Sequence, residues 1–314
     1  MAMKRSALID DEKIEYYLAD PTGNITILVE SFAPVENQPY IGKRLMEIEP
    51  SCEQVGFLYM VDINRENPDD ISKNGEKNAE KVNIKLRMSA GEFCGNATMS
   101  TAALFFINSG YCDGDSADIL VDSSGVKDPV LVNITKNADE KFYIGRVKMP
   151  CPRGITKHIL TFEEENYELS IVDFGGINHI VMPYSDEAVG RFMAGANAED
   201  ENFRIKAENA VHKWLDDLKV ESLGLIFVDD NNIYVNQLKL NPLVYVPDCG
   251  TCYWESSCGS GTTAVGAYYF EKNGNVPVSF MARQPGGTLT IEVNDKREYF
   301  LGGSIRFHER EDKL

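Results

Sequence analysis

The sequence lacks the patterns that mark several large protein classes. No apolar run approaches the roughly 20 residues of a membrane-spanning helix. The first eleven residues include two basic ones but no long apolar core, so we expect no signal peptide and a cytoplasmic protein. No Gly-x-Gly-x-x-Gly follows a predicted strand, and there is no Gly-Lys-Ser/Thr phosphate loop. The commonest nucleotide-binding motifs are therefore absent.

Positive charge is also scarce. The chain has 31 Lys and Arg residues against 49 Asp and Glu residues, a formal net charge of −18. Such a balance argues against binding nucleic acid or an anionic membrane through bulk charge, and we expect neither partner. The net charge does not exclude binding of a small anionic substrate, because a local pocket can be electropositive.

Metal ligands and disulfide frameworks are poorly represented. The four histidines, at positions 158, 179, 212 and 308, show no paired metal-binding spacing. Seven cysteines, an odd number, do not suggest a disulfide framework in a cytoplasmic chain. The pair Cys249 and Cys252 raises a zinc site or a redox motif as alternatives. A zinc site lacks a fourth ligand, and a redox pair is expected to open a helix. We therefore expect no metal and no cofactor.

Two short runs in the chain are nearly the same. Residues 93–98 read Phe-Cys-Gly-Asn-Ala-Thr, and residues 257–262 read Ser-Cys-Gly-Ser-Gly-Thr. Small and apolar residues at helical spacing follow each run. Both runs predict a loop that opens into a helix, with Cys94 or Cys258 at or just before the first turn.

The organisation around the two runs predicts an α+β fold. At 314 residues the chain exceeds the usual size of one domain. Each half contains many predicted strands and one central helix that starts at a Cys-Gly. We place the domain carrying Cys94 at residues 1–137 and the domain carrying Cys258 at residues 138–300. The polar segment 63–82 is predicted to be an exposed loop.

Two cysteines at two helix starts indicate acid/base chemistry. A helix N-terminus has free N–H groups and about half a positive charge, which lowers the pKa of a thiol and can bind a carboxylate. If both ends face one cleft, one thiolate removes the α-proton of an amino acid and the opposite thiol returns a proton to the other face. The alternative for either cysteine alone is a small buried hydrophobic residue.

At these residues the chain resembles the cofactor-independent, two-thiol amino-acid racemases, the superfamily of diaminopimelate epimerase and proline racemase. The resemblance extends over nearly the whole chain and includes the Gly23-Asn24 turn, both Cys-Gly motifs and Pro285–Gly287. It implies two pseudo-symmetric domains, each a sheet wrapped around a central helix. It also implies that the tail 301–314 returns to the first domain and that Cys94 and Cys258 are the catalytic bases.

Within the superfamily, the segments around Cys52–Phe57, Glu92–Ser100, Trp254–Thr262 and Gln284–Gly287 resemble the histidine racemases of staphylopine-type metallophore synthesis. Diaminopimelate epimerase carries a Glu-Arg pair before its second cysteine, and that pair binds the distal amino-acid end of the substrate. The segment 248–257 contains no arginine, the natural bidentate partner of a carboxylate. The resemblance to diaminopimelate epimerase also leads us to expect a second partner, an Asn, just before the Leu223-Gly224 strand. Ser222 occupies that position, which likewise argues against a substrate with a distal carboxylate.

The resemblance also implies a set of substrate-binding residues. Glu53 is a candidate for holding the imidazole or the α-ammonium group, with a surface carboxylate as the alternative. Gln54 is likewise either a binding residue or a surface side chain. His179, beside Asn178, is either a site residue at a strand end or a structural histidine. Trp254 and Tyr253 either wall the pocket or pack in the core. The full set of expected substrate-binding residues is Asn24, Glu53, Gln54, Gly95, Asn96, His179, Glu255, Gly259 and Ser260.

Three functions remain open from the sequence. The first is a cofactor-independent isomerase, a racemase that converts L-histidine to D-histidine. The second is a diaminopimelate epimerase or a broad-specificity racemase. The third is a non-catalytic relative that only binds amino acids. As partners we expect an amino-acid substrate and allow a homodimer.

Overall fold

The structure is a computed structural model that describes residues 2–60, 82–138, 140–247 and 250–308. The chain divides into two units. Unit 1 is drawn from Met1–Pro21, Ile25–Val147 and Ile305–Leu314, and unit 2 from Thr22–Asn24 and Lys148–Ser304. The predicted loop at 63–82 lies outside the described residues except for its last position. No helix in the described ranges is long and apolar enough to cross a membrane.

Unit 1 is built mainly from strands. Its elements are β1 (Arg5–Ile9), β2 (Glu12–Pro21), β3 (Thr26–Val29), α1 (Gln38–Ile48), β4 (Gln54–Met60), β5 (Ile84–Met88), α2 (Gly95–Asn108), β6 (Ser116–Ser123), β7 (Val130–Thr135) and β8 (Tyr143–Met149, whose last two residues belong to unit 2). A short 3-10 turn at Val35–Asn37 precedes α1.

The strands of unit 1 form a mixed sheet around α2. β2 pairs antiparallel with β1 and β3, β3 is parallel to β4, and β4 is antiparallel to β5. β5 is parallel to β6, and β6, β7 and β8 continue antiparallel. Ile84, Leu86 and Met88 alternate inward along β5, as the period-two pattern predicts. α2 contacts five of these strands, β2, β3, β5, β6 and β7.

Unit 2 follows with the remaining elements. They are β9 (Gly154–Phe162), β10 (Glu165–Asp173), β11 (Asn178–Pro183), α3 (Glu187–Met193), α4 (Glu201–Leu218), β12 (Leu223–Asp229), a 3-10 turn (Ile233–Val235), β13 (Gln237–Val246), β14 (Thr251–Trp254), α5 (Gly259–Lys272), β15 (Val278–Gln284), β16 (Gly287–Val293) and β17 (Tyr299–Phe307, whose last three residues belong to unit 1).

The sheet of unit 2 repeats the succession of pairings seen in unit 1. β9, β10 and β11 are antiparallel, β11 is parallel to β12, and β12 is antiparallel to β13. β13 is parallel to β15, and β15, β16 and β17 continue antiparallel. The short β14 adds to β13. Ile305–Phe307, at the end of β17, pair with β2 inside unit 1.

The two central helices are buried on nearly every side. In α2 all residues from Gly95 to Leu104 are buried, and α5 is buried at nearly every position from Gly259 to Phe270. A helix with no exposed face over most of its length is typical of the interior of a fold. Small residues such as Ala102, Ala103 and Gly266 keep the helix surface close to the surrounding strands. The sheets therefore fix the start of each central helix, which is where the cysteines lie.

Candidate active site

Each of the two cysteines caps a central helix. Cys94 is the N-cap of α2, and its Sγ accepts a hydrogen bond from the Ala97 N–H at 3.4 Å. Cys258 is the N-cap of α5, and its Sγ accepts from the Gly261 N–H at 3.3 Å. The predicted helix starts are confirmed. In both cases a sulfur takes the place of the usual capping oxygen at the positive end of a helix.

The threonine shared by the two runs has the same contact in both helices. The Thr98 hydroxyl donates to the Cys94 carbonyl oxygen at 2.7 Å, and the Thr262 hydroxyl donates to the Cys258 carbonyl oxygen at 2.6 Å. A threonine hydroxyl commonly bonds to the carbonyl four residues back in a helix. These bonds tie the first turn of each helix to its cysteine cap.

His179 and Ser260 lie beside Cys258 within unit 2. His179 is fully buried on β11, and its Nε2 lies 2.9 Å from the Ser260 Oγ. The Ser260 Oγ in turn lies 3.5 Å from the Cys258 Sγ. Gly224 makes room for the imidazole, since a Cβ at that position would lie 2.3 Å from the His179 Nδ1. The imidazole is therefore held in one place, one hydroxyl away from the thiol.

The pKa of the Cys258 thiol is raised well above its ordinary value, so the expectation of a lowered pKa is wrong for this cysteine. Burial of the thiol is the main cause, followed by the negative charge of Glu255 and its hydrogen bond to the thiol. Hydrogen bonds from Ser260 and the Gly261 N–H act in the opposite direction but are weaker. The helix N-terminus stabilises the thiolate as predicted, yet desolvation outweighs it.

Burial lowers the pKa of His179 to about 3, so its imidazole is neutral at neutral pH. The His179 Nδ1 is buried without a hydrogen-bond partner. In the neutral tautomer that carries its proton on Nε2, the ring donates to the Ser260 Oγ and the unpartnered Nδ1 has no proton. The Ser260 hydroxyl proton is then free to point at the Cys258 sulfur.

The buried neutral histidine predicts a loss of stability in acid. The pKa of His179 is depressed in the folded state, so its contribution is complete above the unfolded value of about 6.5 and is lost as the pH falls toward 3. At pH 5 this single group costs about 2 kcal/mol. We expect His179→Gln, which does not titrate, to lose about 2 kcal/mol less than the parent between pH 7.5 and pH 5 in urea unfolding. Equal losses in the two proteins would contradict the buried neutral state.

Two glycine motifs meet next to the second cysteine loop. Gly23 has φ +89°, and a Cβ there would lie 2.3 Å from the Gly286 Cα, so the two backbones touch directly. The Gly286 N–H donates to the Ser256 carbonyl oxygen at 2.8 Å. The buried Asn24 and the Pro285–Gly287 turn are thus brought to the segment that precedes Cys258.

The predicted site residues fall into two groups. In unit 2 the structure brings His179, Glu255 and Ser260 to Cys258, and Gly259 follows it in the first turn of α5. Asn24 also belongs to this unit. The remaining predicted residues belong to unit 1: Glu53, Gln54, Cys94, Gly95 and Asn96.

The unit 1 residues occupy two places in that fold. Gly95 and the buried Asn96 form the first turn of α2 after Cys94. Gln54 begins β4, and its Nε2 donates to the Thr26 Oγ1 at 2.7 Å. Glu53 precedes it and is half-buried.

Trp254 is one of the two aromatic residues that were candidates for the wall of the substrate pocket, and it packs against the core of unit 2. Its ring stacks on Phe227 at 5.7 Å, its Nε1 donates to Glu208 at 2.9 Å, and the Arg204 guanidinium lies 4.9 Å from the ring centre. Tyr253 is 59% exposed. Trp254 therefore anchors the strand that leads to Glu255.

Sequence reasoning assigned no role to three residues that shape this region, Gly224, Glu208 and Gln284. Gly224 leaves space for a ring from another strand, and Glu208 and Gln284 bond to groups far away in sequence. The only available signal was Gln284 next to the Pro-Gly-Gly turn.

None of the described residues forms a group of three or more His, Cys, Asp or Glu side chains placed to hold a metal ion. Independence from metals and cofactors stays a prediction.

Comparison with known proteins identifies the family. The family model described as the histidine racemase CntK N-terminal domain matches residues 13–306. The chain belongs to the histidine racemase family. It is 28% identical over 298 residues to a histidine racemase of Fusobacterium nucleatum subsp. nucleatum, covering 92% of each chain. It is 27% identical over 290 residues to a histidine racemase of Staphylococcus aureus, covering 92% of this chain and 91% of that one.

Solved structures share the fold of this chain. A hydroxyproline epimerase from Agrobacterium vitis superposes with a TM-score of 0.60, covering 98% of this chain and 92% of the other at 12% identity. At that identity the likeness supports the fold alone. Family membership makes the protein an isomerase, as the two capping cysteines predict.

Proposed function

We propose that the protein racemises histidine at Cα with two thiols and no cofactor. The observation that carries the proposal is the pair of cysteine caps, each holding a sulfur at the N-terminus of a buried helix. Membership of the histidine racemase family and the relatives that bear that name support histidine as the substrate. Both thiols act on one substrate in this proposal, from opposite faces of its α-carbon.

The raised pKa of Cys258 divides the roles of the two thiols. Cys258 rests as a neutral thiol and is the proton donor, while Cys94 removes the α-proton in the same direction of reaction. The electron pair of the broken C–H bond passes to the carboxylate as the carbanion forms. Backbone N–H groups in the first turns of α2 and α5 hold that carboxylate in this proposal and stabilise the added charge. The Cys258 thiol then protonates the opposite face, and the reverse reaction exchanges the roles.

Glu53, Asn24 and Asn96 complete the proposed site. Glu53 is the candidate partner for the imidazole or the α-ammonium group of histidine, since a carboxylate pairs with either cation. Asn24 and Asn96 are both buried, which suits amides that orient a substrate rather than solvent-facing side chains. His179 acts through Ser260 on Cys258 in this proposal.

We also propose that the two units are copies of one diaminopimelate epimerase-like plan. The same order of antiparallel and parallel pairings in each unit supports this. In each unit the central helix lies in the chain between two strands that pair in parallel, β5 and β6 in one and β13 and β15 in the other. The corresponding position of Cys94 and Cys258 in that order supports a common role for them.

The second candidate is diaminopimelate epimerase or a broad-specificity racemase, and the missing arginine disfavours it. A distal carboxylate and ammonium need charged partners, and the segment 248–257 offers no guanidinium. Glu255, which lies in this segment, is directed at Cys258. This use of Glu255 leaves no described charged side chain of that segment for a distal amino-acid group.

A racemisation panel in heavy water tests the proposed function. Purified protein without pyridoxal phosphate is expected to invert L-histidine and to place one deuterium at Cα for each inversion. LL-Diaminopimelate and the other amino acids should react at least about a hundredfold more slowly, because a buried site rejects a substrate that leaves polar groups unpaired. Chiral chromatography with mass spectrometry measures both quantities. Faster conversion of diaminopimelate would favour the second candidate, and no α-proton exchange with any substrate would favour a binding protein.

A further inference from the structure

Gln284 forms a closed set of hydrogen bonds around the backbone of Cys258. It ends β15 with its side chain buried. Its Oε1 accepts from the Cys258 N–H at 2.8 Å, and its Nε2 donates to the Thr262 Oγ1 at 2.9 Å. Thr262 in turn donates to the Cys258 carbonyl oxygen. Because a backbone N–H can only donate, the orientation of the amide is fixed, and both polar backbone groups of Cys258 are held.

The helix itself cannot supply these bonds. In a capping box, the N-cap side chain accepts from the N–H of the third helical residue, and the side chain of that residue accepts from the N-cap N–H. The third residue of α5 is Gly261, which makes the first bond to Cys258 Sγ but has no side chain for the second. A Cβ there would lie 2.5 Å from the Ile226 Cδ1 and 3.1 Å from the Cys258 Sγ. Any larger residue would crowd the thiol.

We propose that Gln284 is a positioning residue that completes the cap of α5 from a neighbouring strand and so fixes the direction of the Cys258 thiol. The inference rests on the proposed acid/base role of Cys258. Without the glutamine amide, the buried Cys258 N–H loses its acceptor and the Thr262 hydroxyl loses a donor. The first turn then loosens, and the sulfur no longer keeps its place against the Gly261 N–H.

The corresponding position in unit 1 carries a shorter side chain. Ser123 ends β6, and its Oγ lies 3.2 Å from the Thr98 Oγ1, which donates to the Cys94 carbonyl oxygen. The last residue of the strand therefore contacts the equivalent threonine in each unit. In unit 2 the longer glutamine side chain also accepts a hydrogen bond from the N–H of the cap residue, Cys258. The two thiols are held differently, and the effect of losing Gln284 is confined to the second one.

The test compares Gln284→Met with Gln284→Glu and Tyr269→Phe. Methionine keeps the length of the side chain and removes both hydrogen bonds, whereas glutamate keeps an acceptor for the Cys258 N–H. Tyr269→Phe is the control, because it removes a buried bond to Asp230 from the other end of α5. Peptide-resolved hydrogen exchange and histidine racemisation kinetics are measured on all three full-length proteins.

We expect amide exchange in residues 258–262 to accelerate at least about tenfold in Gln284→Met and not in Tyr269→Phe. The kcat of Gln284→Met should fall about 10- to 100-fold with KM changed less than about threefold, since misplacing a reacting group affects chemistry more than binding. Gln284→Glu should recover part of kcat.

Unchanged exchange in the first turn of α5, or a kcat loss no larger than that of Tyr269→Phe, would overturn the inference. Hydrogen exchange needs no substrate, so it tests Gln284 even if the parent protein fails to racemise histidine. Failure of the parent to turn over histidine would count against the proposed function alone.

Discussion

Replacing either Cys94 or Cys258 with serine is expected to lower the rate of histidine racemisation by about 10²–10⁴-fold in both directions, the range that general acid/base groups contribute. The reason is the same for both residues. A serine hydroxyl keeps the size of the thiol and its place at the helix cap, but it releases its proton far less readily. Chiral chromatography of the products measures the rate.

The single variants should also differ from each other. A variant with one remaining thiol keeps a proton-transfer group on one face of Cα, so it should exchange the α-proton of one enantiomer without inverting it. Exchange should be slower in Cys94→Ser, because the remaining Cys258 rests protonated and must first lose its proton. Cys94→Ser and Cys258→Ser are expected to exchange opposite enantiomers in heavy water. Cys112→Ser and Cys151→Ser change exposed thiols, one in each unit, and serve as matched controls. Full activity in both Cys94→Ser and Cys258→Ser would refute the two-base mechanism.

Local features of this protein could be predicted because their causes are local. A Cys-Gly followed by small residues and a threonine defines a helix start within six positions, and Cys94 and Cys258 lie at the predicted caps. The alternation of buried and more exposed residues in β5 depends only on the pleat of that strand. Helix α3, by contrast, was not predicted, because seven residues give too short an apolar pattern to stand out.

The parts that failed depend on contacts between residues far apart in sequence. The helix N-terminus predicted a lowered thiol pKa, but the burial of Cys258 reverses the shift. Part of the surroundings of Cys258 is distant in sequence, such as Gln284 at the end of β15, which bonds to the Cys258 N–H. The space that Gly224 leaves for His179 is likewise invisible in the sequence, since a glycine in a strand has several explanations.

Trp214→Ala is expected to reduce the free energy of unfolding of unit 2 by about 3–5 kcal/mol, the range for removing a large buried aromatic side chain. Trp214 is fully buried on α4, its ring lies 5.2 Å from that of Phe192, and its Nε1 donates to the Thr161 carbonyl oxygen at 3.2 Å. The substitution leaves a cavity and a carbonyl oxygen without this donor. For a unit of this size we expect the melting temperature to fall by roughly 10 °C.

The sequence supplies a selective probe for this prediction. Its two tryptophans, Trp214 and Trp254, both belong to unit 2, so the variant keeps Trp254 as a fluorescent reporter of that unit. Phe57→Ala is the matched control, since Phe57 is buried in a separate core cluster of unit 1. It should leave the Trp254 transition much less affected than Trp214→Ala does. Because α4 holds Trp254 next to Glu255 through Glu208, racemase activity should be lost together with this transition. Equal shifts of the Trp254 transition in both variants would contradict the assignment of two separate cores.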